Sequence, residues 1–317
     1  MNRRWKNKRV GLALGSGGAR GWAHLGVLEV LEEKGIAVDL VAGVSMGAVV
    51  GAFLAAGRIA SLRELALSLD WNRLRQFFWE ISLSRSGLTD GKRLLEETSK
   101  LLGVATFEEL VVPLRTVATD LANGGEVVLT EGDLLQALRA SISIPGLFSP
   151  VRLDGRLLVD GGLVNPVPVN VARDMGAQVV IAVDVSQGYE LEEKFAGDAS
   201  DDEPVVPARP LRLPRQKAEE ESDGPLQALG QFFDDVEKKM RRVKASWQAR
   251  ETKPDMLDVL VRSVRIMEAQ IALARREFEP PDVLIEPQVG GIGTLDFQRA
   301  AEAVEAGRAA ALHALDS

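Results

Sequence analysis

Residues 40 to 57, LVAGVSMGAVVGAFLAAG, form the longest uncharged stretch of the chain, bounded by Asp39 and Arg58. Eighteen uncharged residues is about the length at which a bilayer-spanning helix must be considered. The stretch therefore allows two very different proteins: one with a membrane span, or one with a buried strand and helix joined at a corner. Its wealth of glycine and alanine makes it only mildly hydrophobic. The preceding GIAVDLVAG suits a helix end at Gly35 followed by a buried strand, Val38 to Ala42. MGAVVGAFLAAGR suits a helix packed closely on a sheet through Gly47 and Gly51 and ended by Gly57. Gly47 and Gly51 also fit a G-x-x-x-G contact between membrane helices. The strand–turn–helix reading is the stronger of the two.

The rest of the chain agrees with an α/β protein. The 317 residues are 46% hydrophobic and 26% charged, with a mean hydropathy near zero, enough to bury a large core in one or two domains. RVGLALG is a strand leading into glycines, ARGWAHLGVLEVLEEKG a helix, PLRTVATDL and GEVVLTEG short strands. GDLLQALRASISIPG is a helix capped by Asp133, RLLVDGG a strand end, PVPVNVARDMGA a helix opened by proline, and QVVIAVDVS a buried strand. Strands alternating with helices imply a mostly parallel sheet covered on both faces. Residues 9–188 are expected to form this core. Residues 190–224 hold 11 Asp/Glu against 5 Lys/Arg, so −6 of the chain's −8 is local. With their prolines, residues 189–225 are expected to be a disordered acidic linker or surface loop. Residues 226–317 are expected to add C-terminal helices and one strand, PPDVLIEP, packed on the core. Leu226, Leu229, Phe233, Val236, Met240, Val243 and Trp247 follow a heptad rhythm, and Leu257, Leu260, Val264, Met267, Ile271, Ala274 and Phe278 a similar one. The first of these helices is expected to dock on the body of the protein or the second helix, on another copy, or on a membrane surface.

With no cysteine, disulfides and thiolate metal sites are excluded. The apolar run Val10 to Leu14 in the basic N-terminus is too short for a secretion signal. A cytoplasmic protein is expected, with peripheral membrane contact left open, and no nucleic-acid partner.

Within the uncharged stretch lies G-x-S-x-G, Gly43 to Gly47. Between a strand and a helix this pattern is a nucleophile elbow, with Ser45 exposed on a strained turn. A serine needs a base. The chain has two histidines, His24 and His313, each expected to be a packing or surface residue, so a histidine triad has little support. Asp160, at the end of an apolar strand and before Gly161 and Gly162, offers a carboxylate at the sheet edge where open α/β folds bind ligands. A turn cap is the alternative role for it. GSGGARG, residues 15 to 21, follows the first strand; its amides could hold an anion. It matches neither the Walker A pattern nor the dinucleotide fingerprint.

Together these stretches resemble the patatin-like phospholipase family, and within it the bacterial members related to the catalytic domain of neuropathy target esterase. Gly17-Gly18-Ala19-Arg20-Gly21 matches the family's G-G-x-R-G loop, Gly43-Val44-Ser45-Met46-Gly47 its elbow, and Asp160-Gly161-Gly162 its D-G-[GA]. ASISIPGLFSPV and DGGLVNPVPV also look like family sequence. Ser16 departs from the third glycine that many relatives carry. The resemblance implies a three-layer α/β/α fold and a Ser45–Asp160 dyad without metal or other cofactor. It also implies an oxyanion hole of amides from Gly17, Gly18, Ala19 and Arg20. The implied activity is hydrolysis of lipid acyl esters, of the phospholipase A or lysophospholipase type. A thioesterase or acyltransferase would use the same site, and a lipid-binding scaffold with little turnover is the rival reading. The Arg20 side chain is expected either to steer a phosphate headgroup or to make a surface ion pair. Trp71, Phe77, Phe78 and Trp79 are expected in the core, lining an acyl pocket or touching lipid. Ser86 and Ser141, outside any elbow, are expected to be structural.

Overall fold

The computed structural model describes residues 5, 7–69, 92–186 and 256–316. The aromatic run at 71–79, Ser86, the acidic stretch 189–225 and the heptad stretch 226–247 lie outside the described residues. Contacts divide the chain into two units, Met1–Glu190 with Leu257–Ser317, and Leu191–Met256. All the strands of the described residues belong to the first unit.

The uncharged stretch is a strand, a one-residue turn and a helix. Strand β1 (Val10–Leu14) is followed by a short 3-10 turn, Gly18–Trp22, and helix α1 (Ala23–Glu33). Strand β2 (Leu40–Val44) then meets helix α2 (Met46–Ala55) at Ser45. Helices α3 (Ile59–Ser68) and α4 (Lys92–Leu102) come next, then strands β3 (Leu114–Asp120) and β4 (Glu126–Leu129) and helix α5 (Leu134–Ser141). Strands β5 (Val151–Leu153) and β6 (Arg156–Asp160), helix α6 (Val169–Asp174) and strand β7 (Val179–Val183) complete the first part. Helix α7 (Met256–Phe278), strand β8 (Val283–Ile285) and helix α8 (Ala300–Asp316) lie beyond it. Among the described residues no helix is long and apolar enough to cross a membrane.

The eight strands among the described residues join one sheet. β3, β2, β1, β7 and β8 run parallel in that order, while β4 and β6 pair antiparallel with β3, and β5 with β6. Alternation along the strands divides the core into two layers. Leu12 and Leu14 of β1, Val41 of β2 and Ile181 and Val183 of β7 pack with α1, α2 and α8 on one face. Ala13, Leu40, Ala42, Val44, Val180 and Ala182 pack with α6 on the other. The result is the expected three-layer α/β/α arrangement with a mostly parallel sheet and C-terminal helices.

One expectation changes in detail. Asp160 lies on an antiparallel strand, so its arrival at the C-terminal edge of the parallel strands needs another explanation, which β3 supplies. Val117 of β3 pairs with Val44, the last residue of β2, and also with Val128 of β4. Ala118, one residue on, pairs with Asp160, the last residue of β6, and with Val127 of β4. A strand has two edges, and β4 occupies one. β2 and β6 therefore share the other, running towards each other and ending at consecutive positions.

Candidate active site

The head-to-head meeting of β2 and β6 brings Ser45 and Asp160 together although 115 residues separate them. Ser45 Oγ donates to Asp160 Oδ2 at 2.7 Å, and both side chains are buried, so Ser45 stands on the turn but not exposed as the elbow pattern predicts. Ser45 has φ 54° and ψ −122°, a strained conformation for a residue with a Cβ. The glycines of the motif make the turn possible by their size. A Cβ on Gly47 would lie 2.2 Å from the Leu14 carbonyl oxygen, and one on Gly43 would lie 2.6 Å from the Ala48 Cα.

The turn is also tied from behind. Ser141 Oγ, at the end of α5, accepts from the Ser45 amide at 2.9 Å and donates to the Val117 carbonyl at 2.7 Å. Ser141 is structural, as expected, but the structure it serves is the elbow itself. It sits in ASISIPG, where no local pattern distinguishes it; only its pairing with β3 does.

Asp160 is held on every side. Its Oδ1 accepts from the Gly162 amide at 2.8 Å, its amide donates to the Ser143 carbonyl at 3.1 Å, and its carbonyl accepts from Thr119 Oγ1 at 2.8 Å. The turn-cap role and the contact with Ser45 therefore coexist, one on each carboxylate oxygen. Burial pushes the Asp160 carboxyl up to about 8, with the charge of Glu268 as the second cause and the Ser45 and Gly162 hydrogen bonds opposing.

The glycine loop after β1 lies against this pair: a Cβ on Gly21 would overlap Met46, the residue after Ser45. Of the four expected oxyanion amides, the loop keeps two for its own structure. The Ala19 amide donates to the Thr294 carbonyl at 2.9 Å and the Arg20 amide to the Gly17 carbonyl at 3.2 Å. The Gly17 and Gly18 amides donate to no group among the described residues. The Arg20 side chain does not lie at the surface. It is buried, its Nε donates to the Gly17 carbonyl at 3.2 Å, and its charge faces Glu268.

His24 is buried with Nε2 2.9 Å from the Gly15 carbonyl oxygen. A carbonyl only accepts, so Nε2 carries the proton. Burial holds the ring's pKa down to about 4, so it is neutral near pH 7, a brace for the loop. His313 lies on α8, remote in sequence from every strand end that builds the site. Among the described residues no group of three or more His, Asp or Glu could hold a metal ion.

The sequence reading missed the C-terminal contribution. Thr294 precedes α8, and its carbonyl fixes the loop at Ala19. Glu268 of α7 accepts from Ser16 Oγ at 3.1 Å, both side chains being buried. Ser16 thus lies inside the site, and the departure from glycine there has a partner. No local signal marks Glu268, since a carboxylate on a long helix normally faces water.

A model of the patatin-like phospholipase family matches residues 12–173, which hold the loop, the elbow and Asp160. An uncharacterized NTE family protein of Mycobacterium bovis is 36% identical over 98% of this chain and 92% of its own length. The human patatin-like phospholipase domain-containing protein 6 is 36% identical over 60% of this chain, a region that is 14% of that protein. Among solved structures, VipD from Legionella pneumophila aligns with a TM-score of 0.38 and 16% identity, over 58% of this chain and 50% of its own. With its core matched by the family model and nearly its whole length by an NTE family protein, the chain belongs to the patatin-like phospholipase family.

Proposed function

We propose that this protein is a serine lipid acyl hydrolase of the phospholipase A or lysophospholipase type, working through Ser45 and Asp160. The observation that carries the proposal is the 2.7 Å bond from Ser45 Oγ to Asp160 Oδ2 on a strained elbow at the sheet's C-terminal edge. Ser45 Oγ attacks the ester carbonyl while its proton passes to Asp160 Oδ2. The carbonyl oxygen becomes an oxyanion, received by the Gly17 and Gly18 amides. The C–O bond to the alcohol breaks, and Asp160 returns the proton to the leaving alcohol. Water then attacks the acyl-enzyme, giving its proton to Asp160, and the fatty acid leaves as the Ser45 hydroxyl re-forms. An aspartate in water is too weak a base for this step; a desolvated one is stronger once ionised. Two oriented amides at a developing oxyanion are worth roughly 3 kcal/mol each in the barrier. His24 has no place in the sequence of steps, because it faces the Gly15 carbonyl.

The test is covalent labelling with a fluorophosphonate probe, with release of fatty acid from a panel of phospholipids and lysophospholipids measured in parallel. Labelling confined to Ser45 together with fatty-acid release is the expected result. A folded protein that neither labels nor releases fatty acid would sink the reading in favour of a lipid-binding scaffold.

A further inference from the structure

Glu268 is a buried carboxylate that the proposed reaction does not use. It stands on α7, outside the stretch matched by the family model, and it touches both halves of the site. Its Oε1 accepts from Ser16 Oγ at the mouth of the glycine loop. The same oxygen lies against Gly162: a Cβ built there would be 2.2 Å from Glu268 Oε1 and 2.7 Å from Ser16 Oγ. Gly162 is the residue whose amide holds Asp160 Oδ1. One carboxylate oxygen, one hydroxyl and one turn of backbone therefore meet where the loop and the Asp160 turn come closest.

A hydrogen bond to Ser16 alone would not require a charge, since a glutamine oxygen accepts as well. An ionised group is costly to bury without partners, and Glu268 has partners of the required sign. Arg20 from the 3-10 turn and Arg265 from one turn earlier on α7 favour its charge, as does Ser16. Arg265 Nη2 also donates to the Gly290 carbonyl at 2.7 Å, steadying the loop that carries Thr294. Asp184, after β7, opposes ionisation of Glu268, as does burial, the largest influence on it. Asp160 faces Glu268 from β6 and feels its charge.

We propose that Glu268 is a positioning residue of this active site, acting through its charge. It couples Ser16 of the glycine loop to the Asp160 turn and sets the pH above which Asp160 can accept the Ser45 proton. The inference rests on the Ser45–Asp160 reading of the function. Burial holds the Glu268 carboxyl above the usual carboxylate range, with Arg20, Ser16 and Arg265 opposing, and wherever Glu268 is ionised its negative charge opposes ionisation of Asp160. Asp160 consequently loses its proton at a higher pH and is the stronger base when it has done so. The C-terminal segment thereby sets the working range of a dyad whose members both lie in the first part of the fold.

The experiment is the pH profile of kcat/KM for hydrolysis of a soluble p-nitrophenyl ester by the full chain. Wild type is compared with Glu268→Gln, Glu268→Asp and Ser16→Ala, with Ser45→Ala and Asp160→Asn as controls. Glu268→Gln removes the charge and keeps the shape. Its acidic limb is expected to move down by about one pH unit, the scale on which a nearby charge acts, with a lower plateau because the base is weaker. Ser16→Ala removes a donor that favours the charged form of Glu268, so its limb moves the same way by less. Glu268→Asp keeps the charge and the wild-type limb. A folded Glu268→Gln with an unmoved limb overturns the proposal, and so does a Glu268→Asp limb that moves as far as that of Glu268→Gln. If Glu268→Gln does not fold, the direction of the Ser16→Ala shift decides alone. Hydrolysis that survives Ser45→Ala overturns the dyad itself, whereas dead controls with an unmoved Glu268→Gln limb overturn only the role of Glu268.

Discussion

Residues 10–174 hold every motif of the site, and residues 256–316 hold none, yet both parts are built into it. The first part contributes features that local sequence announces: a glycine loop after β1, a serine at the end of β2, an aspartate at the end of β6. The second contributes support: the Thr294 carbonyl under Ala19, Glu268 against Ser16 and Gly162, and α8 packed on α1. A motif is local because a turn or a strand end needs particular neighbours in sequence. Support arrives from any element that passes near enough, so it leaves no spacing to find.

The difference can be put at risk directly. Ser45→Ala and Asp160→Asn are each expected to lower ester hydrolysis by about 10⁴-fold or more while leaving the fold intact, and the double variant to be no worse than either, because the two act as one unit. Kinetics on the single and double variants check this; additive losses would mean that the residues act separately. In the C-terminal part, Gly307→Ala is expected to be the most damaging single change. Its Cβ would lie 2.0 Å from the Ala23 carbonyl oxygen, at the crossing where a Cβ on Gly26 would lie 1.9 Å from the Val304 oxygen. Pushing backbone apart there costs roughly 2–3 kcal/mol, read as a lower urea midpoint. Because α1 follows the glycine loop, activity should fall before the fold is lost. A neutral Gly307→Ala would mean that the C-terminal helix is an accessory.

Ser141→Ala removes the acceptor of the Ser45 amide. Leaving a buried donor unmatched costs roughly 1–3 kcal/mol, and if the strain of the elbow is what suffers, kcat falls about tenfold or more. Measured stability and kcat together separate a loosened elbow from a weakened core.

Activity and stability are expected to respond to pH in opposite directions. Burial and the charge of Glu268 hold Asp160 up at about 8, so kcat/KM should climb with pH across that value. The folded state binds this proton more tightly than the unfolded chain does. Its contribution to stability is therefore fully present at acid pH, below the unfolded pKa, and is lost as pH rises towards and through about 8. Asp160→Asn should abolish that slope and gain on wild type in melting temperature from pH 5 to pH 9. The smallest effect is expected at His24. His24→Gln keeps a donor for the Gly15 carbonyl and should cost about 1 kcal/mol of stability with kcat unchanged. Inactivity of a folded His24→Gln would reopen the histidine triad.

The parallel strands and the elbow were legible because hydrophobic runs and glycine positions are local properties. Asp160 was legible as a strand end, but its strand's direction was not, since that depends on which edge of β3 remains open past Val117. For the glycine loop, the resemblance names four amides, but nothing local names the Thr294 carbonyl that accepts from Ala19. On α7 the apolar rhythm misleads. Met267 and Phe278 belong to it and are 48% and 84% exposed, while Arg265 and Glu268 are among the buried residues. The helix turns part of its charged face inward because what it covers is a polar loop, and periodicity records only how apolar a face is. Helices α3 and α4 and the short strand β5 carry no motif.

The register of β3 has a consequence for how such a chain can change. Ser45 follows the partner of Val117, and Asp160 is the partner of Ala118, so the gap between the two side chains is gauged on one strand. Nothing in the intervening chain length enters that gauge. Segments inserted at the exposed 122–124 turn, or a chain cut and rejoined there, leave the two strand ends where they were. A single residue deleted from the middle of β3 does the reverse: it turns one part of the strand over relative to the other and separates the pair without touching either member. The site is therefore permissive towards growth between its parts and intolerant of a slip in a strand that carries none of its chemistry.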